Sequence, residues 1–416
     1  MKSWIDVPPD HPFPFQNLPY CAFFSGTTAA VGVGIGDYVL DLSLLFDAGF
    51  LPKGVAGNNV FAHPHLNAFM ALGRDIWAEV RAALTDLLRE DNGALRDDDE
   101  FLHKALHKQV DVELLLPVNI GAFVDFYSSE RHATNVGSMF RPDNPLMPNW
   151  KWLPVGYNGR ASSVVASGTP IRRPVGQSLP GKAQEPVFGP CRNLDFELEM
   201  GFFTGKENPL GARVGTSEAA DYIFGMTLVN DWSARDIQKW EYQPLGPFLA
   251  KTFATTISPW VVPMAALEPF RISNPAQIPP PMNYLRCEED WTFDIELEVA
   301  LQTEAMRTPQ VISRSNYKNM YWNMAQQLAH QCVNGTNVQV GDLYASGTIS
   351  GDDPSSFGSM LELTWRGEKP IEMTETGETR AFIQDGDTVF LKGYCQGEGY
   401  RVGFGEASGT ILPASL

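Results

Sequence analysis

From residue 118 onward, glycine or proline interrupts the chain about every dozen residues, and short runs rich in β-branched and aromatic residues fill the intervals. Both residues weaken helix interiors, so this punctuation points to one large, mostly β domain over 118–416. Two helical exceptions are expected. One lies over Ser217 to Ile223; the other runs from Asn316 to His330, where Met320, Tyr321, Met324 and Leu328 make an apolar face. Ala-Ser-Gly-Thr recurs at Ala166, Ala345 and Ala407, but at unequal intervals, which predicts similar strand ends and no solenoid.

Residues 1–117 read differently. Ala29 to Leu45 alternates about Gly36-Asp37, as a hairpin would. From Asn67 to Glu90 apolar residues recur at threes and fours, predicting an amphipathic helix capped by Asn67 and stopped near Gly93. A shorter helix should follow, with Asp97 to Glu100 at its dipole-favoured start and Phe101, Leu102, Ala105 and Leu106 on its apolar side. Leu114 to Pro117 is the expected exit from this first domain. The whole is a mainly β (α+β) chain of two domains.

Composition narrows the function. The 416 residues are 44% hydrophobic, an ordinary globular value, and the net charge of −18 repels phosphate backbones, so no nucleic-acid partner is expected. No segment is apolar enough to span a bilayer. Acidic residues and prolines break up the first twenty residues, so no secretory signal is expected and the expected location is cytoplasmic. Five scattered cysteines argue for reduced thiols rather than a disulfide framework.

Candidate chemistry lies in three places. In Asp195 to Met200 acidic and apolar residues alternate, so a strand would set Glu197 and Glu199 on one face with backbones about 6.6 Å apart, able to converge on a hard cation. Phe293 to Val299 alternates in the same way. Either strand could equally present a solvated acidic face, and the pattern leaves open which of them holds metal. Asp125 to His132 and Asn230 to Tyr242 mix acids, hydrogen-bond donors and aromatics as a polar pocket would, and Lys251 follows. His103 and His107, four apart, lack a third zinc ligand. Gly32, Gly34 and Gly36 do not open a helix, and Gly-x-Ser-x-Gly is absent, so neither a dinucleotide site nor the commonest serine-hydrolase signal is supported.

Several long motifs occur in order: FQNLPY at Phe15, DFYSSERHATNVG at Asp125, LPVGYNGRASS at Leu153, DFELEM at Asp195, and a run of 31 residues from Asn230 to Trp260. ASGTISG at Ala345, FGSMLEL at Phe357 and GYRVGFGE at Gly399 follow. In these motifs the chain resembles the fumarylacetoacetate hydrolase family over nearly its whole length. The resemblance implies a small N-terminal SH3-like barrel, a large C-terminal mixed β-roll and a homodimer. It implies metal ligands at Asp125, Glu197, Glu199 and Asp231, with Lys251 and Thr255 at a second metal, the ions being Ca2+ and Mg2+. It makes His132 the catalytic base, Glu362 its support, and Arg235, Gln238 and Lys251 oxyanion donors. Substrate contacts fall on Tyr127, Arg141, Tyr157, Gln238, Tyr242 and Thr348. The implied activity is metal-dependent hydrolysis of a carbon–carbon bond in 4-fumarylacetoacetate, a β-diketo dicarboxylate, to fumarate and acetoacetate, the last step of tyrosine and phenylalanine catabolism. The alternatives are a related acylpyruvate hydrolase or β-keto acid decarboxylase, or a non-enzymatic metal-binding protein. Thr252 and Ala254 depart from the family's usual Ser and Gly, so a glycine-only conformation after Lys251 cannot be assumed.

Overall fold

The computed structural model describes residues 2–55 and 57–415. The early alternation folds as expected up to a point. Ala29–Ile35 and Tyr38–Asp41 pair antiparallel, with Gly36 at φ +51° in the turn. The strand then stops short of Leu45: the Asp41 carboxylate accepts from the N–H groups of Ser43 (2.8 Å) and Leu44 (3.1 Å) and opens a helix, Leu42–Asp47. With Tyr20–Phe24, Leu106–Lys108 and Glu113–Leu114 these strands form a five-stranded antiparallel sheet, the small SH3-like unit.

The helix expected over Asn67 to Glu90 is two helices, Asn67–Met70 and Arg74–Leu87, separated at Gly73 (φ +84°). Asn67 does not cap. Its side chain instead donates to the carbonyls of Asn119 (2.9 Å) and Val340 (3.2 Å), a long-range tie that hydrophobic periodicity cannot reveal. After a single turn of helix at Gly93–Arg96, Asp98 caps the helix Asp99–Ala105, accepting from Phe101 N–H at 3.0 Å.

Beyond residue 120 two sheets curl around one core as a mixed β-roll. In the first, the strands Gly156–Asn158, Phe123–Phe126, Leu343–Ala345, Leu198–Thr204, Ile223–Asp231, Thr255–Ile257 and Val164–Ala166 lie in that order, with Val262–Pro263 paired onto Ile223–Asp231. In the second the order is Gln310–Asn316, Glu296–Gln302, Thr388–Gly397, Tyr400–Leu412 and Ile171–Arg172. Leu198, Met200, Phe202 and Leu228 from the first sheet meet Leu297, Val299, Leu391 and Phe404 from the second, all essentially buried. Truncating any one of these leucines to alanine would cost about 2–5 kcal/mol. A second core joins the N-terminal unit to the back of the first sheet through Tyr20, Phe69 and Phe224, and Tyr20 and Val261 exchange two backbone hydrogen bonds of 2.8 Å.

Helices interrupt the roll more often than expected. Near Ser217 there is only a short turn and Ala219–Tyr222, and the later helix spans Met324–Cys332, delayed by an Asn323–Gln326 capping box. Glu130–Phe140, Arg235–Glu241, Leu249–Thr252 and Met360–Leu363 are further helices that the β pattern does not reveal. Their inward positions are partly polar, so they carry no clean apolar stripe: Glu130–Phe140 buries His132 and Asn135. The Ala-Ser-Gly-Thr repeats end strands at Ala166 and Ala345, but the third lies inside Tyr400–Leu412.

Candidate active site

Register delivers most of the site. Asp125 pairs with Tyr157 on one side and Ala345 on the other; Asp231 pairs with Thr255; Glu199 faces Val229 on the strand between. Neighbouring strands of the first sheet thus present polar side chains at one end of the sheet. Glu197 precedes the Leu198–Thr204 strand and keeps the alternation, so it turns to the same side as Glu199. Among the described residues, Asp125, Glu197, Glu199 and Asp231 are the one group of acids, histidines or cysteines close enough to share an ion, with ligand atoms within 4.8 Å of one another and all four buried. His103 and His107 form no such group.

Two of the four acids have nowhere to put an oxygen. Asp125 Oδ1 and Glu199 Oε1 are buried without a hydrogen-bond partner. An unsatisfied buried polar group costs about 1–3 kcal/mol, more when charged. Burial, reinforced by the charge of Asp231, pushes the Asp125 carboxyl well above the usual range, and burial with the charge of Asp125 does the same to Glu199. Glu197 is the opposite case: burial resists its ionisation, but Lys251 and Arg235 outweigh that and bring it down to about 2. The donor set is all oxygen, closely spaced and excess in negative charge, and so fits a hard divalent cation.

Cations and donors frame the carboxylates. Lys251 Nζ donates to Glu197 Oε2 and, at 2.8 Å, to Asp231 Oδ2; burial opposes its charge, but Asp231 and Glu197 raise its pKa and keep it an ammonium. Thr255 Oγ1 (2.9 Å) and Tyr157 OH (2.8 Å) also donate to Asp231. Arg235, its side chain 9% exposed, reaches Glu197 Oε1 at 2.8 Å and Gln238 Oε1 at 3.2 Å, while its Nη2 is buried and unpartnered.

His132 and Glu362 meet nearby, His132 Nδ1 lying 2.6 Å from Glu362 Oε2. Glu362 also accepts from Asn135 Nδ2, Ser350 Oγ and Ser359 Oγ, each at 2.9 Å. Burial resists ionisation of Glu362, but the His132 charge and these hydrogen bonds outweigh it and lower its pKa. An ionised carboxylate only accepts, so Nδ1 must donate, and in the neutral ring Nε2 then carries the lone pair. Ser129 caps the helix that carries His132. The Tyr127 ring stands edge-on to His132 at 5.3 Å. Burial raises the Tyr127 phenol, with Glu362 and Glu197 adding to it; Arg141, though exposed, is near enough to act the other way. Thr348 Oγ1 is buried and unpartnered. Tyr242 is 43% exposed, and among the described residues no hydrogen bond joins it to the cluster.

Two family models match the chain in succession: one described as fumarylacetoacetase N-terminal over residues 16–117, the other as fumarylacetoacetate hydrolase C-terminal over 121–411. The fumarylacetoacetase of Bos taurus is 55% identical over 415 residues, covering 99% of each chain. The chain belongs to the fumarylacetoacetate hydrolase family. The Arabidopsis thaliana fumarylacetoacetase is 50% identical over 418 residues, covering all of this chain and 99% of its own. A fumarylacetoacetate hydrolase from Exiguobacterium antarcticum, solved as a structure, shares the fold with a TM-score of 0.52 at 16% identity, covering 95% of this chain and 99% of that one.

Against that family background the departure after Lys251 is harmless to the backbone. Thr252 ends the short Leu249–Thr252 helix, and among the described residues only Leu18, Trp365 and Arg366 are non-glycine residues at positive φ, so neither Thr252 nor Ala254 occupies a conformation that needs glycine. Gly347 is different: at φ +77° a Cβ would lie 2.2 Å from the Phe126 carbonyl, and its N–H donates to Glu199 Oε2 at 3.1 Å. Asn135, Ser350 and Ser359, bonded to Glu362, and Asp195, bonded to Arg235, also join this network; sequence reasoning did not single them out as candidates because they belong to no ligand or base pattern.

Proposed function

We propose that this chain hydrolyses 4-fumarylacetoacetate to fumarate and acetoacetate, with His132 as the base. The observation that carries this reading is the His132–Glu362 pair, with no hydrogen bond to His132 Nε2 among the described residues, beside a buried four-carboxylate cluster flanked by Lys251 and Arg235. A divalent ion, Ca2+ in this reading, held by Asp125, Glu197, Glu199 and Asp231 would hold substrate oxygens and offset developing negative charge. His132 Nε2 takes a proton from water as the water oxygen bonds to the substrate carbonyl, and Glu362 stabilises the imidazolium. The carbon–carbon bond then breaks, its electron pair leaves with acetoacetate as an enolate, and the His132 imidazolium returns its proton to that carbanion, restoring the neutral base. Arg235 Nη2, Gln238 and Lys251 supply fixed donors to the oxyanion. Tyr127, Arg141, Tyr157, Tyr242 and Thr348 contact the dicarboxylate substrate, Arg141 by charge. A second ion, Mg2+ in this reading, would be held near Lys251 and Thr255; a charged Lys251 has no side-chain lone pair to offer, so it would contribute by its carbonyl or by orienting Asp231.

The same reading makes the enzyme cytoplasmic and homodimeric, with 1–117 and 118–416 as its domains. Exposed Leu245, Phe248 and Leu249, following the Arg235–Glu241 helix, offer an apolar surface for a second copy. No helix among the described residues is long and apolar enough to cross a membrane. The test is turnover of fumarylacetoacetate by purified protein with and without chelator. Formation of fumarate and acetoacetate that stops on chelation and returns with divalent ion is expected; no turnover in metal-loaded protein overturns the reading.

A further inference from the structure

The short Leu194–Asp195 strand pairs with Ser233–Ala234, directly before the helix that carries Arg235, and Arg235 N–H donates to the Asn193 carbonyl at 2.9 Å. On its other side the same stretch meets the segment that carries Glu362: Leu198 N–H donates to the Gly358 carbonyl at 2.9 Å, and Glu197 bridges to Ser359. Asp195 lies in this seam, fully buried, and its carboxylate is spent on both neighbours. Oδ1 accepts from Met360 N–H at 2.7 Å; Oδ2 accepts from Leu361 N–H at 3.0 Å and from Arg235 Nε at 2.8 Å. We infer that Asp195 is a positioning residue that holds the oxyanion donor Arg235 and the base-supporting Glu362 in one rigid frame.

Geometry explains why the cluster acids cannot do this. Arg235 has two anions in reach. With Nε held by Asp195, Nη1 faces Glu197 and Gln238, and Nη2 is left unpartnered for a substrate oxygen. Without Asp195 the guanidinium is free to turn its fork onto Glu197, where it would compete with a bound ion and withdraw the free donor. The Met360–Leu363 helix would lose its two carboxylate-bound N–H groups, and Glu362 would lose the anchor that sets its distance to His132.

The inference rests on the roles proposed above for Arg235 and Glu362, and the experiment separates the two. Asp195→Asn, Arg235→Met, Glu362→Gln and the double variant Asp195→Asn/Arg235→Met are compared as metal-loaded proteins on fumarylacetoacetate, with hydrogen exchange over 357–365 read by mass spectrometry. Asparagine keeps the size but cannot accept from all three donors. In Asp195→Asn, kcat should fall about 10- to 100-fold, with KM within about twofold, since transition-state positioning is what is lost. Exchange at 359–363 should quicken, and in the Arg235→Met background the further loss in kcat should shrink, because linked residues do not act additively. Parent-like kcat in folded Asp195→Asn, or the full loss repeated on top of Arg235→Met, overturns the inference. Should Asp195→Asn not fold, Arg235→Lys tests the link from its other end: lysine keeps the charge but cannot span both carboxylates, so parent-like kcat there overturns it as well. Parent-like kcat in both Arg235→Met and Glu362→Gln would instead remove the proposed chemistry, and unchanged exchange at 359–363 would then dismiss the link to the helix also.

Discussion

Asp195 to Met200 and Phe293 to Val299 carry the same alternation of acids and apolar residues, and each leaves a two-stranded ribbon to enter an interior strand of a large sheet, at Leu198 and at Glu296. Their apolar sides do the same thing: Phe196, Leu198 and Met200, like Phe293, Ile295, Leu297 and Val299, are buried in the shared core. Their acidic sides do not. Asp195, Glu197 and Glu199 are buried under the segments that bring Arg235, Lys251, His132 and Glu362. Glu296 is exposed, Glu298 is 31% exposed and pairs with Arg314 at 3.0 Å, and Asp294 is half-buried beside Lys318 at 3.4 Å. Alternation tells which residues share a face. What covers that face decides whether the acids become a low-dielectric cluster or a solvated fringe.

The largest expected effect tests whether the covered face divides its labour. His132→Ala should lower kcat by about 10²–10⁴-fold, the usual worth of a general base, while the protein keeps its metal, because the carboxylates are untouched. Elemental analysis beside single-turnover kinetics reads both; loss of metal together with activity would show that His132 belongs to the ion site.

Glu199→Gln should come next, lowering activity about 100-fold at limiting ion and recovering part of it as calcium or magnesium is raised, since a neutral oxygen replaces an anionic one. A variant that binds metal as the parent does would take Glu199 out of the cluster's function.

A smaller effect follows from the two orphaned acids. Because burial raises Asp125 and Glu199, the metal-free fold holds protons that the unfolded chain gives up, so this contribution to stability is present at acid pH and is lost as pH rises through their raised pKa values. A divalent ion removes that penalty. The rise in Tm on adding ion should therefore be slight near pH 5 and reach a few degrees near pH 8. A shift independent of pH, measured by scanning calorimetry, would contradict the proton-linked cluster.

The least effect is expected on the open face. Glu298→Gln should leave metal content and kcat as they are and change stability by less than about 0.5 kcal/mol, because a screened surface pair contributes little. Metal loss from this variant with retention in Glu199→Gln would reverse the comparison.

Much of the molecule is legible in its sequence. The punctuated β pattern beyond residue 118, the Gly36-Asp37 hairpin turn and the acid-rich start of the Asp99–Ala105 helix depend on local preferences, and local preferences are written in consecutive residues. So is the pairing of faces in Asp195 to Met200. The long motifs from Asp125 to Gly399 mark the family and point to the residues that meet in the site. The order of strands that sets Asp125, Tyr157, Asp231 and Thr255 at one sheet end, the break at Gly73, and the helices bearing His132, Arg235 and Glu362 belong to the tertiary structure. So does the choice between the two acidic strands on physical grounds, and so does the seam in which Asp195 serves both halves of the site. Each depends on contacts between residues from tens to hundreds of positions apart, and a carboxylate's charge state is decided by what surrounds it in space, which no stretch of neighbouring residues specifies.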